Sequence, residues 1–381
     1  MRILVLGAGL QGAACAYDLA QNPAVTEIRL ADRQLDRLPT FLTPLLGSRV
    51  TTLSVDVRDA DAALAAMQGC AAVVSAVPYY LNAPLAAAAI EAGAHFADLG
   101  GNIDVVWEQK KLHDTARDRG VSVVPDCGLA PGLVNIIAEL GIAQLESVDA
   151  VRLYVGGLPL HPKPPLNYQV VYSLEGVLDY YTTPSSVLRG GSRVTMPALS
   201  EVEEIEFDAP LGRLEAFHTA GGLSTMAFRY EGRVPVMEYK TLRYPGHAHI
   251  MTAMRELGFF GLEPVDVNHR PVVPRAMAVA LMGPRLLEPS SPDLVVLRVV
   301  VSGKQQGSAR TLAWELVDRM DEERGITAMM RTTGYSLAIT AVMQARGEIA
   351  PGVRTADECV PAGPYLAALA ERGIAVRQVA G

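Results

Sequence analysis

One hexapeptide constrains this chain more than any other part of it: Gly7-Ala8-Gly9-Leu10-Gln11-Gly12, a glycine triplet in the spacing GxGxxG. It follows an apolar run at 2–6 and precedes Ala13, Ala16, Tyr17 and Ala20, which recur at helical spacing. A buried parallel strand that ends in such a turn and leads into a helix begins a βαβ unit. Gly7 permits the tight turn, Gly9 lets the backbone approach a pyrophosphate, and Gly12 lets helix and strand pack closely. The N–H groups of the first helical turn, around Leu10 and Gln11, add partial positive charge. A purely structural glycine turn uses the same letters, so context decides. A second strand at 26–31 closes on Asp32, twenty residues after Gly12, where a dinucleotide site needs an acid.

Asp32 is suited to accept both ribose hydroxyls of NAD, and its charge opposes the 2′-phosphate of NADP. Arg33, directly after it, keeps NADP possible. Asp56 and Val57, after a third strand, are candidates to flank the adenine, although a solvated loop acid is an equal reading. Ser75, Ala76, Val77 and Pro78 end a fourth strand at the carboxyl edge of the sheet, where open α/β folds bind ligands, and are expected to face the nicotinamide. The competing reading is a proline-terminated strand with Tyr79 and Tyr80 as packing aromatics.

Strands at 50–54, 72–76, 95–98 and 121–125 alternate with helical patterns at 59–67, 81–92 and 105–119. Strict alternation predicts an α/β fold, a Rossmann doubly wound parallel sheet over 1–146. From 147 the pattern becomes alternating segments such as VDAVRLYVGG, NYQVVYS, EVEEIEF and GRLEAFHTAGG. These predict a second, α+β domain with a mixed or antiparallel sheet over 147–326, with helices at 246–257 and 273–282. The segment 327–381 is again helical and is expected to pack back on the first domain.

The chain's 381 residues, half of them hydrophobic, suffice for two cores. Thirty-three basic and 41 acidic residues, without a Lys/Arg block, disfavour nucleic acid or a membrane surface as partner and favour a small molecule. The uncharged stretch 62–90 is interrupted by Gly69, Pro78, Asn82 and Pro84, so it reads as strand, turn and helix rather than a membrane span. Four separated cysteines without a CxxC pair suggest no metal site, and with a strand beginning at residue 2 they suggest the cytoplasm. An exposed sheet edge makes a homodimer the default expectation.

The glycine motif, SAVPYY, GAHFADLGGN at 93–102 and DCGLAPGLVN at 126–135 together resemble the saccharopine dehydrogenase (reductase) family. EAFHTAGGLSTM at 215–226, KTLRYPGH at 240–247 and MMRTTGYSLAI at 329–339 resemble its lysine 6-dehydrogenase subgroup. The resemblance implies NAD-dependent oxidative deamination of the ε-amine of L-lysine to allysine, which cyclises, and ammonia. The amine must be neutral to lose hydride, and deprotonating a free lysine at pH 7 costs about 4.6 kcal/mol. A base is therefore needed.

Asp98 and Asp126 sit on the active edge of the sheet and are candidates, Asp98 first because Asp126 is well placed to cap the helix after Pro131. His218 and His247 are candidate proton carriers, though a lone histidine is more often structural. Arg243 is the first candidate to hold the substrate carboxylate, and Arg331 the second. Lys240 and Thr241 lie beside Arg243. In a strand, Lys240, Leu242 and Tyr244 would face one side and Thr241 and Arg243 the other, so not all can line one pocket. Tyr79, Tyr168, Tyr172 and Glu175 are candidates to contact the substrate.

The nearest alternative is a saccharopine or carboxynorspermidine type enzyme, which makes or breaks a secondary amine. Another class is a non-catalytic dinucleotide sensor. His247-Ala248-His249 offers no third ligand for a metal-dependent hydrolase.

Overall fold

In the computed structural model, which describes residues 1–170, 173–288 and 291–380, the chain forms two compact units. The first comprises Met1–Leu145, Ser224–Met226 and Met320–Gln378; the second comprises Glu146–Leu223, Ala227–Arg319 and the end of the chain from Val379. The division expected at 147 falls between Leu145 and Glu146. The return falls at Met320 rather than 327, and three residues from the middle of the chain join the first unit.

The first unit runs β1 (Arg2–Leu6), α1 (Leu10–Gln21), β2 (Glu27–Asp32), β3 (Val50–Ser54), α2 (Ala60–Met67), β4 (Ala72–Ser75), α3 (Asn82–Ala92), β5 (His95–Asp98), α4 (Ile103–Lys110), α5 (His113–Asp118), β6 (Ser122–Val124) and α6 (Leu133–Ile142). The strands β1, β4, β5 and β6 are buried because helices cover both sides of the sheet, whereas the edge strand β3 is exposed after Val50. Its first six strands pair in parallel in the order β6-β5-β4-β1-β2-β3. The order reverses between β1 and β4, which opens a crevice at their carboxyl ends. The single helix expected over 105–119 is two helices, because the chain turns at Lys111 and Leu112 and Leu112 packs inward against the core.

The second unit contains β7 (Ser147–Pro159), α7 (Leu174–Thr182), β8 (Ser185–Arg189), β9 (Ser192–Met196), β10 (Glu203–Phe207), β11 (Gly212–His218), the single turn α8 (Met226–Arg229, from its second residue), β12 (Val236–Arg243), α9 (His247–Glu256), β13 (Val265–Val267), β14 (Arg270–Val272), α10 (Pro274–Leu286), β15 (Asp293–Gln305) and β16 (Ser308–Arg319). Its sheet is mixed, in the order β10-β11-β12-β7-β15-β16, with β8 and β9 attached at β12. The expected strand NYQVVYS is absent from its described residues; Asn167 takes a φ of +48°, which breaks an extended run. Val171 and Tyr172 lie outside the described residues.

The chain then returns to the first unit with α11 (Ala328–Ala345), β17 (Gly352–Val353), α12 (Ala356–Cys359) and α13 (Ala362–Glu371). β17 adds a seventh parallel strand beside β6. α11 lies on α1, and a side chain at Gly334 would come within 2.7 Å of the Gln11 carbonyl oxygen. No helix among the described residues is long and apolar enough to cross a membrane.

Candidate functional site

The glycine loop has the shape of a phosphate cradle. Gly7 has φ +95°, and a Cβ there would meet the Ala76 carbonyl oxygen at 2.7 Å; one at Gly12 would lie 1.9 Å from the Gly7 carbonyl oxygen. Both are glycine because the protein leaves no room. Gly9 differs: a Cβ there meets nothing within 4 Å. The open space in front of Gly9, at the N-terminus of α1, is where a pyrophosphate would approach. The amide oxygen and nitrogen of Gln11 are buried without a hydrogen-bond partner among the described residues, which leaves polar atoms for a ligand. These features fit a dinucleotide.

The carboxylate of Asp32 accepts from Ala8 N at 2.7 Å and Gln34 N at 3.0 Å, so it braces the loop from the end of β2. Arg33 is exposed. Asp56 is gripped by Arg58, with contacts of 2.9 and 2.5 Å, and that guanidinium holds its carboxyl down to about 2. Its acceptors are therefore committed to a neighbouring arginine rather than held open for an adenine amine. Val57 packs against the hydrophobic core. The Ser75 hydroxyl donates to Asn82 Oδ1 at 2.7 Å, which turns it into the sheet instead of toward a nicotinamide. Ala76 and Val77 touch the Gly7 turn, whereas Tyr79 and Tyr80, after Pro78, are exposed.

Asp98 and Asp126 follow β5 and β6 at the same carboxyl edge. Asp98 is fully buried and accepts from Gly100 N and Gln109 Nε2, each at 2.7 Å. Asp126, with φ +63°, accepts a short hydrogen bond from the Ser224 hydroxyl and another from Gly101 N at 3.3 Å. It does not cap the following helix; Asn135 does, accepting from Gly132 N at 2.7 Å. Burial raises both carboxyls, Asp98 to about 6 and Asp126 to about 7, and the negative charge of Asp98 adds to the second shift. A carboxyl that titrates near neutrality can take and return a proton under physiological conditions. Each oxygen of both carboxyls already accepts one hydrogen bond; of the two, Asp126 is the better candidate because its carboxyl is raised closer to neutrality. Ser224 was missed from sequence: it lies far along the chain, and its only signal was the GGLST segment.

In the second unit, β12 sends alternate side chains to opposite faces. On one face Lys240 Nζ donates to Glu203 Oε1 and the Glu201 carbonyl oxygen, both at 2.8 Å. His218 shares that face, with Nε2 at 3.0 Å from Glu201. Glu201, His218 and Glu238 bring their ligand atoms within 4.8 Å of one another, but Arg189 Nη2 stands 2.8 Å from Glu201 and 2.6 Å from Glu238. The positive charge a metal would bring is already supplied. Burial also lowers the His218 pKa. His218 and Lys240 thus belong to an ion network, not to a pocket with Arg243.

The other face carries Thr241 and Arg243. Arg243 Nε donates to the Tyr181 hydroxyl at 3.1 Å, and Tyr181 donates to His247 Nε2 at 2.9 Å. His247 Nδ1 donates to the Leu166 carbonyl at 3.1 Å, which fixes the neutral tautomer. Burial, then the adjacent guanidinium, push this ring down to about 3. His247 is consequently a neutral bracket for Tyr181 rather than a proton carrier. The Arg243 guanidinium lies 4.8 Å from the centre of the Tyr168 ring, and the buried Tyr168 hydroxyl has no hydrogen-bond partner among the described residues. Thr241 Oγ1 bonds Thr219 Oγ1 at 2.7 Å. Glu215, opposite Arg243 in the β11–β12 register, accepts from Gly246 N at 2.9 Å and Ala248 N at 2.5 Å, and so caps α9.

Two further candidates fall elsewhere. Arg331, in the first unit, donates to the Arg372 carbonyl at 3.1 Å and lines a cavity of about 710 Å³ with Asp18, Tyr335 and Arg372. No glycine-loop residue lines that cavity, so Arg331 is placed away from the nucleotide crevice. Glu175 is exposed on the first turn of α7, and Tyr172 lies outside the described residues.

Comparison with known proteins fits this geometry. Residues 3–124 match the saccharopine dehydrogenase NADP binding domain, and residues 128–374 match the saccharopine dehydrogenase C-terminal domain. The chain is 26% identical to the mitochondrial alpha-aminoadipic semialdehyde synthase of Mus musculus over 50% of its own length and 21% of that protein. It is 20% identical to the carboxyaminopropylagmatine dehydrogenase of Synechocystis sp., over 99% of this chain and 97% of that one. The apo saccharopine dehydrogenase (L-Glu forming) of Saccharomyces cerevisiae superposes with a TM-score of 0.81 at 20% identity, covering 99% of both chains. The chain thus spans about a fifth of the length of the mouse relative and nearly all of the cyanobacterial one.

Proposed function

Because the chain belongs to the saccharopine dehydrogenase family, we propose that it is an NAD-dependent dehydrogenase that takes hydride from the ε-carbon of L-lysine, leaving an imine that water hydrolyses to allysine and ammonia. The observation that carries this reading is Arg243. The residue is 6% exposed; its guanidinium donates to Tyr181 and to the Leu242 carbonyl at 2.8 Å rather than to a carboxylate among the hydrogen bonds described, and is set against the Tyr168 ring. The neighbouring cations Lys240 and Arg189 are committed to glutamates on the other face of the sheet. A single buried clamp suits a substrate with one carboxylate, whereas a conjugate of two amino-acid skeletons carries more carboxylates and calls for more cations.

The dinucleotide, when bound, supplies the hydride acceptor. The chain's residues supply the rest. Arg243, with Thr241 beside it, holds the α-carboxylate, and Tyr168 offers a ring face to the aliphatic stem. Asp126, poised at about 7, takes the proton that the ammonium must lose before hydride can leave. Gly9 and the α1 N-terminus receive the pyrophosphate. Asp32 selects NAD over NADP by charge, with Arg33 as the route by which NADP would be tolerated.

A second reading is favoured by the match to the Synechocystis enzyme along nearly the whole chain: oxidation of a secondary amine that joins two skeletons, as in saccharopine. The two readings separate in one assay of purified protein with L-lysine or saccharopine, each with NAD and with NADP. Lysine turnover with NAD, accompanied by one ammonia per reduced cofactor, supports the first reading. Turnover of saccharopine alone, without ammonia, replaces it with the second. Tight nucleotide binding with neither turnover would favour a sensor.

A further inference from the structure

Three residues from the middle of the chain bring a hydroxyl to the candidate base. Ser224–Met226 belongs to the first unit, although Leu223 before it and Ala227 after it belong to the second. Two of its side chains grip the turn between β6 and α6: the Ser224 hydroxyl donates a short hydrogen bond to Asp126 Oδ2, and Asn135 Nδ2 donates to Met226 Sδ at 3.3 Å. Ser224 and Asp126 are both buried, with φ of +49° and +63°. Two non-glycine residues in the left-handed region carry a backbone cost, so the surrounding structure has to hold each of them there. The Asp126 carboxyl is closely enclosed. Gly101 N reaches its other oxygen at 3.3 Å, and a Cβ at Gly100 would lie 1.6 Å from that oxygen. The titratable groups that face it are Asp98 at the end of β5, Asp357 on α12 and the thiol of Cys127, none of them a cation.

We infer that Ser224 is the positioning residue of this carboxyl: its hydroxyl holds Asp126 in both protonation states and favours the ionised one. The two donors on Asp126 differ in kind. The Gly101 N–H only donates, so it serves the carboxylate and loses most of its partner when the acid is neutral. A hydroxyl both donates and accepts, and its hydrogen turns about the C–O bond. The Ser224 hydroxyl gives its hydrogen to the carboxylate and, when Oδ2 carries the proton, turns to accept from it. Asp126 thus takes a proton and returns it without losing its anchor. Burial and the negative charges of Asp98 and Asp357 push Asp126 toward the protonated form, and the Ser224 hydrogen bond opposes them. Without that hydroxyl, Asp126 keeps its proton to higher pH. The consequence for catalysis rests on Asp126 being the base; the consequence for its protonation does not.

The test is a pair of pH titrations on the full chain, one of kcat/KM for L-lysine with NAD and one of stability by urea melts, for wild type, Ser224→Ala, Ser224→Gly and Thr225→Val. Glycine suits a left-handed backbone, so Ser224→Gly removes the hydroxyl without the strain that alanine bears there. Thr225→Val deletes the adjacent buried hydroxyl, which has no hydrogen-bond partner among the described residues, and serves as the control. A carboxyl raised above its unfolded value lends stability that is complete below pH ~4 and is lost as pH rises through the folded value. Both Ser224 variants should move that loss, and the acid limb of kcat/KM, upward by about one unit, the weight of one hydrogen bond to a charged group. Thr225→Val should track wild type. A stability titration that moves upward in a protein that leaves lysine unoxidised would still support the inference and would count against the lysine reading instead. Stability titrations of both Ser224 variants that coincide with wild type would overturn it, as would an equal shift in Thr225→Val.

Discussion

At the residue scale, Asp126 joins burial to a position at the carboxyl edge of the sheet. As a base it works ionised, so kcat/KM should fall as pH drops through about 7. Asp126→Asn should lose that limb and most of kcat while binding nucleotide normally; an unchanged pH profile would remove Asp126 from proton transfer. The same shift predicts stability. A carboxyl raised from its unfolded value near 3.9 to about 7 favours the folded state fully below pH ~4, and this is lost as pH rises through ~7. Asp126→Asn should therefore gain stability relative to wild type at pH 8 and lose that advantage near pH 4, as urea melts at the two pH values would record. Arg243→Ala should raise the KM for lysine by about 10- to 100-fold, the weight of a charge-assisted pair, whereas Lys240→Ala should alter stability and leave KM alone. The edge position of Asp126 and the strand alternation around Arg243 can be read locally, although the sequence by itself favours Asp98 over Asp126. Ser224 and Tyr181, which hold Asp126 and Arg243, arrive from distant segments, and His247 looked titratable only because its burial could not be seen in the sequence.

At the element scale, the three glycines of one loop have different reasons to be glycine, and a pair of substitutions separates them. Gly12→Ala would collide with the Gly7 carbonyl oxygen and should destabilise the β1–α1 turn. Gly9→Ala meets open space, so the melting temperature of the free protein should hold while affinity for NAD falls at least about tenfold. Equal loss of stability in both variants would contradict the assignment of Gly9 to the ligand. The βαβ succession was legible because buried parallel strands are continuous apolar runs bounded by turns. The irregular path of 166–170 was not, since alternation in NYQVVYS mimics a half-buried strand while Asn167 turns the backbone into the left-handed region. The β12 alternation was legible in full, and it sorted Lys240 from Arg243.

At the scale of the whole molecule, two units divide the chemistry. The first carries the glycine loop and the two raised carboxyls; the second carries Arg243, the proposed carboxylate clamp. NAD at a hundred times its Kd should stabilise the protein by about 2.7 kcal/mol if it binds only the folded form. The class of each unit followed from element order, but the joining of Ser224–Met226 to the first unit did not, because three residues carry no periodicity of their own. The central claim is that hydride leaves the ε-carbon of lysine. Its most direct test is turnover of L-lysine deuterated at that carbon with unlabelled NAD, followed by mass spectrometry of the reduced cofactor. One deuterium on the nicotinamide ring and a monodeuterated allysine are expected; reduced cofactor free of deuterium, or no reduction at all, would contradict that claim.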